Sequence, residues 1–221
     1  MTSFIQSLMK IAKRMNLLGS ETAFAVSAEA AKLGATGKKI FPFHLGDINL
    51  STPKSVIEAA KKAINDGKTG YCAAPGISEL REALAKDVGN SRGLSYDIDN
   101  VSVQPGGKPS IGKYIAAMME KGDSVLYPNP GYPIYESQIE FYKGIALPYG
   151  YVNTSEGLKL DFRAIEKGIE KGAKHIFYNN YNNPTGASSS NEEIEKLAKL
   201  VIDNDMFLIS DDAYFDTLYD G

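Results

Sequence analysis

Four short stretches carry the side chains that could do chemistry. Asp211 follows the apolar run Met206-Phe207-Leu208-Ile209, and Tyr214 comes three residues later. An acid at the end of a buried strand is costly unless it is paired, and a protonated pyridine nitrogen is a suitable partner. The competing role is a helix N-cap, which suits the neighbouring Asp212 better. Asn183 precedes Pro184 in Asn179-Asn180-Tyr181-Asn182-Asn183-Pro184-Thr185-Gly186, behind a second apolar run. It offers an amide donor at the same sheet edge as Asp211. Val103-Gln104-Pro105-Gly106-Gly107-Lys108 leads from an expected strand to a helix start through two glycines. Free N–H groups, the helix dipole and Lys108 favour a phosphate there, although a solvated Lys108 in an ordinary turn accounts for the same residues. In Tyr127-Pro128-Asn129-Pro130-Gly131-Tyr132-Pro133-Ile134-Tyr135 the closely spaced prolines force an irregular turn. It either presents the Tyr132 ring at a strand's end or is a rigid loop of packed tyrosines.

These stretches need a frame. The spacing predicts helices over 53–66, 78–88, 109–121 and 161–171, and one opened by the capping box Ser190-x-x-Glu193 with Ile194, Leu197 and Val201 inward. Strands are expected at 101–103, 124–127, 145–149, 174–178 and, fully buried, 206–209. Such alternation implies an α/β fold with a mainly parallel sheet flanked by helices, in which ligands sit at the carboxyl ends of the strands. Phe4, Leu8, Ile11, Met15 and Leu18 mark one face of a further N-terminal helix that is basic and free of acid. One arginine and few serines argue against a mitochondrial presequence and for a helix packed on the body or a partner.

Composition narrows the classes. At 221 residues and 43% apolar, with a net charge of −3, the chain can bury a sizeable core. It shows no basic stripe, so nucleic acid is not an expected partner. No apolar run approaches the ~20 residues that span a bilayer, so no membrane partner is expected. Cys72 stands alone, and His44 and His175 are isolated, so no disulfide or metal set is expected and a cytoplasmic setting is the simplest.

Taken in order, six blocks of this sequence resemble the class I/II aminotransferases of the pyridoxal phosphate (PLP) fold type I superfamily. They are Ala25 to Thr52 around Gly46, Gly70-Tyr71 with Gly76 to Arg81, Gly106 to Lys108, Gly122-Asp123 with Pro128 to Tyr135, Asn179 to Gly186, and Asp211 to Tyr214. The resemblance implies that Asp211 pairs with the pyridine nitrogen and that Asn183 and Tyr214 hydrogen-bond the ring's 3-oxygen. It implies that Tyr132 stacks on one ring face with Ala213 on the other, and that the N–H groups of Gly107 and Lys108 hold the phosphate. Tyr71 would reach a partner's cofactor in a homodimer, and Gly46 would meet the substrate carboxylate. A cis Asn183–Pro184 bond is expected. The sequence departs from the family at Asp47-Ile48-Asn49 and at Tyr181, which stands where a proline is usual.

On the same resemblance, residues 1–52 are an N-terminal helical arm and small-domain segment, and 53–221 an incomplete PLP-binding large domain. The last strands, the C-terminal small domain and the Schiff-base lysine are expected beyond Gly221, so no residue here is assigned a catalytic role. No lysine follows Lys199, and Ser51-Thr52-Pro53-Lys54 matches a Ser-x-x-Lys pattern only formally. The strand at 101–103 is expected to pair with one from beyond Gly221, and the strand at 174–178 to lack a neighbour. The expected function is the N-terminal part of an enzyme moving an amino group between an amino acid and a 2-oxo acid. The alternatives are a fold type I lyase or decarboxylase fragment and a non-catalytic PLP-binding remnant.

Overall fold

The computed structural model describes residues 11–18, 22–43, 46 and 50–217. Two compact units emerge: Thr22–Gly106, and Gly107–Gly221 with the residues before Thr22. The boundary expected after residue 52 falls inside the first of these.

The Thr22–Gly106 unit holds helices α1 (Thr22–Ala35), α2 (Lys54–Asn65) and α3 (Ser78–Arg92). Pro53, with φ −54°, is itself the N-cap of α2, and no side chain caps the helix there. Gly93 ends α3 in the left-handed region at φ +63°. The expected strand at 101–103 does not form. Val101 is extended, but among the described residues no strand lies along it. Its backbone is satisfied otherwise: Arg81 Nε donates to Val101 O at 2.9 Å, and Val103 N donates to Pro75 O at 2.8 Å.

The Gly107–Gly221 unit alternates as its sequence pattern requires. In chain order come α4 (Gly107–Met118), β1 (Ser124–Pro128), α5 (Ile134–Phe141), β2 (Ile145–Tyr149), β3 (Tyr151–Thr154), β4 (Gly157–Leu160), α6 (Phe162–Glu170), β5 (Ala173–Asn179), α7 (Asn191–Asp203) and β6 (Phe207–Asp211). Four strands form a parallel sheet in the order β2-β1-β5-β6, and β3 and β4 form a hairpin. Leu126, Ile176 and Tyr178 pack with Ile165 of α6 and Leu197 of α7 on one face. Val125, Tyr127 and Phe177 pack with Ile111 and Ile115 of α4 and Tyr135 and Ile139 of α5 on the other. Each such buried side chain contributes about 1.5–3 kcal/mol, which makes β1 and β5 the rigid centre.

Several expectations change here. β5 is flanked by β1 and β6 and lacks no neighbour. Among the described residues β6 is an edge strand rather than a buried one, with Phe207 51% and Leu208 38% exposed. The Ser190–Glu193 capping box is present, and Glu193 Oε1 also accepts from Leu160 N at 2.7 Å. Leu197 is buried, whereas Ile194 faces outward at 40% exposure. Of the N-terminal helix, Phe4 and Leu8 lie outside the described residues, and Lys13–Leu17 make a short 3-10 turn. Arg14 there lies 5.2 Å over the Phe141 ring. Among the described residues no helix is long and apolar enough to cross a membrane, and no His/Cys/Asp/Glu group could hold a metal ion.

Candidate active site

β5 and β6 end side by side, with Asn179 in register with Asp211. Both polar residues therefore stand at the carboxyl edge of the sheet, where the sequence pattern places Asn183 and Asp211. Asn179 is buried, and its amide is used at both ends: Nδ2 donates to Asp211 O at 2.8 Å, and Oδ1 accepts from Asn183 N at 2.8 Å. One primary amide thus ties the Asn183 segment to the Asp211 segment. The loop beyond β5 closes on itself. Asn182 N donates to Ala187 O, Gly186 N donates to Asn182 O, and the Thr185 hydroxyl donates to Asn182 Oδ1. The Asn183–Pro184 bond is cis as expected, and so are Asn180–Tyr181 and Asn129–Pro130.

Asp211 is half-buried. Its Oδ2 accepts from the Tyr135 hydroxyl at 2.6 Å and its Oδ1 from Ala213 N at 3.2 Å. It is therefore Asp211, not Asp212, that makes the local turn contact, while Asp212 accepts from the Ser210 hydroxyl. Residues 213–216 form turns rather than a helix, so neither acid is a helix cap. Among the described residues no cation pairs with the Asp211 carboxylate.

Tyr135 reaches Asp211 because the proline-rich turn after β1 delivers the chain into α5. Gly131 is required in that turn, since a Cβ there would collide with the Pro128 carbonyl. The Tyr135 ring stacks on Phe177 with centroids 4.9 Å apart and meets the half-buried Tyr132 edge-on at 5.8 Å. Burial first, and the Asp211 hydrogen bond and charge next, push the Tyr135 hydroxyl far above the ordinary tyrosine pKa, so it remains a donor.

Helix α4 packs against the same sheet. Met119, just past α4, lies against Gly144 at the foot of β2, where a Cβ would meet Met119 Sδ at 2.5 Å. Higher up, the Tyr114 ring meets the His175 and Phe177 rings of β5. A Cβ on Gly107 would meet nothing within 4 Å, so there is open space beside the first residue of α4, in the turn where helix N–H groups lack intrahelical partners.

The structure thus brings Tyr132, Asn183, Asp211 and Ala213 into one bonded constellation. Gly107 and Lys108 open helix α4, and Tyr214, 40% exposed, lies on the turn after β6. Tyr71 and Gly46 belong to the other unit, where both are exposed. Asp47, Ile48 and Asn49 lie outside the described residues. Tyr135 and Asn179 were given no role from sequence. Tyr135 had a usable signal, since it follows Tyr132 by three residues where one turn of helix would bring both to one side. The prolines before it disguised that helix as loop.

The sequence matches the family model described as aminotransferase class I and II over residues 38–221. An aspartate/prephenate aminotransferase of Thermus thermophilus is 32% identical over 211 residues, covering 96% of this chain and 54% of that protein. A probable aspartate aminotransferase of Methanocaldococcus jannaschii is 34% identical over 176 residues, covering 80% and 46%. Among solved structures, an alanine aminotransferase from Pyrococcus furiosus superposes with a TM-score of 0.89 at 28% identity, covering 96% of this chain and 54% of that one. The Thermus thermophilus aspartate aminotransferase with maleate gives 0.85 at 31% identity, covering 92% and 53%. The chain spans about half the length of the curated relatives it matches.

Proposed function

The chain belongs to the class I and II aminotransferases, and from that premise we propose that it is the N-terminal part of a PLP-dependent enzyme moving an amino group between an amino acid and a 2-oxo acid. Its α/β architecture, a parallel sheet flanked by helices, is that of the fold type I large domain. The observation that carries the proposal is Asp211: a strand-end carboxylate fixed by neutral donors and lacking a cationic partner among the described residues. A protonated pyridine nitrogen supplies that countercharge, and the start of α4 supplies N–H groups for a phosphate, so the donor set fits PLP.

PLP, when bound, supplies an electron sink for negative charge at the substrate's Cα. Asp211 keeps the proton on the ring nitrogen, without which the sink fails. Asn183 and Tyr214 donate to the 3-oxygen, Tyr132 and Ala213 bracket the ring, and Gly107 and Lys108 hold the phosphate through their N–H groups. Gly46 offers backbone to the substrate carboxylate. Tyr71 serves the second copy of a homodimer, a role supported by its complete exposure. In the proposed enzyme the base that moves a proton at Cα is the lysine that the family resemblance implies, and no residue of 1–221 is given that role. Residues 1–52 form the arm and small-domain segment, 53–221 the large domain, and the enzyme acts in the cytoplasm.

The test is product analysis on the full-length protein with PLP, a panel of amino acids and 2-oxoglutarate. Glutamate should form mole for mole with the donor's 2-oxo acid. Release of carbon dioxide or ammonia without glutamate would replace transamination with decarboxylation or elimination.

A further inference from the structure

Tyr135 touches two of the candidate ring contacts that come from separate segments. Its hydroxyl donates to Asp211 Oδ2 at 2.6 Å. Its ring meets Tyr132 edge-on, at 5.8 Å and 85°. Beneath, it stacks on Phe177 at 4.9 Å and 20°, and its exposure is 0%. Tyr135 is therefore closed off from solvent, and its one polar side-chain atom is committed to Asp211. A ring packed on Phe177 and Tyr132 has little freedom, so its hydroxyl has one direction. A carboxylate accepting from a fixed donor at each oxygen, Tyr135 on one and Ala213 N on the other, loses rotation about its own terminal bond.

We propose that Tyr135 is a positioning residue of the cofactor site, holding the Asp211 carboxylate and the Tyr132 ring in one geometry so that the cofactor's ring nitrogen and ring face are recognised together. The proposal rests on the PLP assignment above. Tyr135→Phe separates the two contacts, because it keeps both ring contacts and removes only the hydrogen bond to Asp211. Tyr135→Leu removes all of them.

The experiment is a PLP titration of the full-length protein, read by cofactor absorbance at equilibrium, for the wild type, Tyr135→Phe, Asp211→Ala and the double variant. Tyr135→Phe should weaken PLP binding by about tenfold, the scale of one hydrogen bond to a charged group. The double variant should bind no more weakly than Asp211→Ala alone, since the hydroxyl acts through Asp211. A purely structural role gives additive losses instead, and that result overturns the proposal. So does unchanged affinity in Tyr135→Phe when Asp211→Ala weakens binding; in both cases the PLP assignment stands. If the wild type binds no PLP, or Asp211→Ala binds it as well as the wild type, the assignment falls and this proposal with it. Tyr135→Leu should bind PLP more weakly than Tyr135→Phe, and equal affinities would overturn the Tyr132 part.

Discussion

β5 carries a buried polar side chain near each end, His175 toward its start and Asn179 at its last position. At the amino end His175 Nδ1 shares a 2.9 Å hydrogen bond with the Tyr114 hydroxyl, and the imidazole stacks on Phe207 with centroids 5.5 Å apart. Burial lowers the His175 pKa, with Asp123 opposing, and burial pushes Tyr114 up to about 12. The imidazole is enclosed by aromatic rings and bonded within the fold. At the carboxyl end Asn179 is equally well bonded, but the group it anchors, Asp211, is a half-buried carboxylate whose donors are all neutral. Burial and hydrogen bonding are common to both ends. What separates a structural polar group from a binding one is the charge left without a partner once the fold's own bonds are made.

That contrast breaks most sharply under Asp211→Ala and His175→Ala. In the full-length protein Asp211→Ala should raise the PLP dissociation constant at least about a hundredfold, roughly 3 kcal/mol. Urea unfolding of the cofactor-free protein should change by only about 1 kcal/mol, the cost of leaving the Tyr135 hydroxyl unpaired. His175→Ala should do the reverse. It forfeits the ring contacts with Phe207 and Tyr114 and strands the Tyr114 hydroxyl, about 2–3 kcal/mol of stability, with PLP affinity within about twofold. Variants that each moved both readouts equally would erase the distinction between the two ends.

Asn179→Ala sharpens the comparison, because Asn179 belongs to both the strand and the site. Its amide closes two hydrogen bonds whose loss leaves Asp211 O and Asn183 N short of a partner. Stability should fall by about 2 kcal/mol, and PLP affinity should drop by about tenfold as Asn183 and Asp211 lose their common tie. A loss of stability alone would assign Asn179 to the scaffold and leave the site to Asp211.

The alternation of apolar runs with helical spacing is enough to place β1, β2, β5 and α6 within a residue or two, the capping box to place the start of α7, and both together the meeting of the Asn183 and Asp211 segments at one edge. Periodicity cannot say which strand is central. Met206 to Ile209 reads as buried, yet β6 has β5 as its one neighbour in the described sheet and leaves Phe207 and Leu208 exposed. Val101 to Val103 has strand-like residues, but a strand is a pairing, and Arg81 and Pro75 take its backbone bonds here. The hairpin at β3 and β4 escaped notice for want of a strong turn signature. Its turn is closed by Thr154, whose hydroxyl donates to Gly157 O at 2.8 Å and accepts from Glu156 N at 3.2 Å. Site residues chosen by chemical type are legible in the sequence. For those that work through another residue the sequence gives less: spacing ties Tyr135 to Tyr132, but no local pattern links it to a carboxylate 76 positions away, and nothing marks Asn179.

The smallest expected effect is on pH dependence, and it belongs to the amino end. In the folded chain His175 titrates below its ordinary value of 6.5, because burial disfavours the imidazolium more than Asp123 favours it. Tyr114, the other titratable group against it, stays neutral until about pH 12. As pH falls below about 6.5 the unfolded chain takes up a proton on this histidine before the folded chain does. Its contribution is therefore fully present above that pH and is lost progressively as pH falls toward the lower folded value. Urea unfolding of the cofactor-free protein between about pH 7 and pH 5 should show wild-type stability declining more than that of His175→Gln, which cannot titrate. Parallel declines would mean that another group carries the pH dependence. A drop in PLP affinity that followed His175 through the same window would be more damaging, because it would couple the two ends of β5 that their bonding separates.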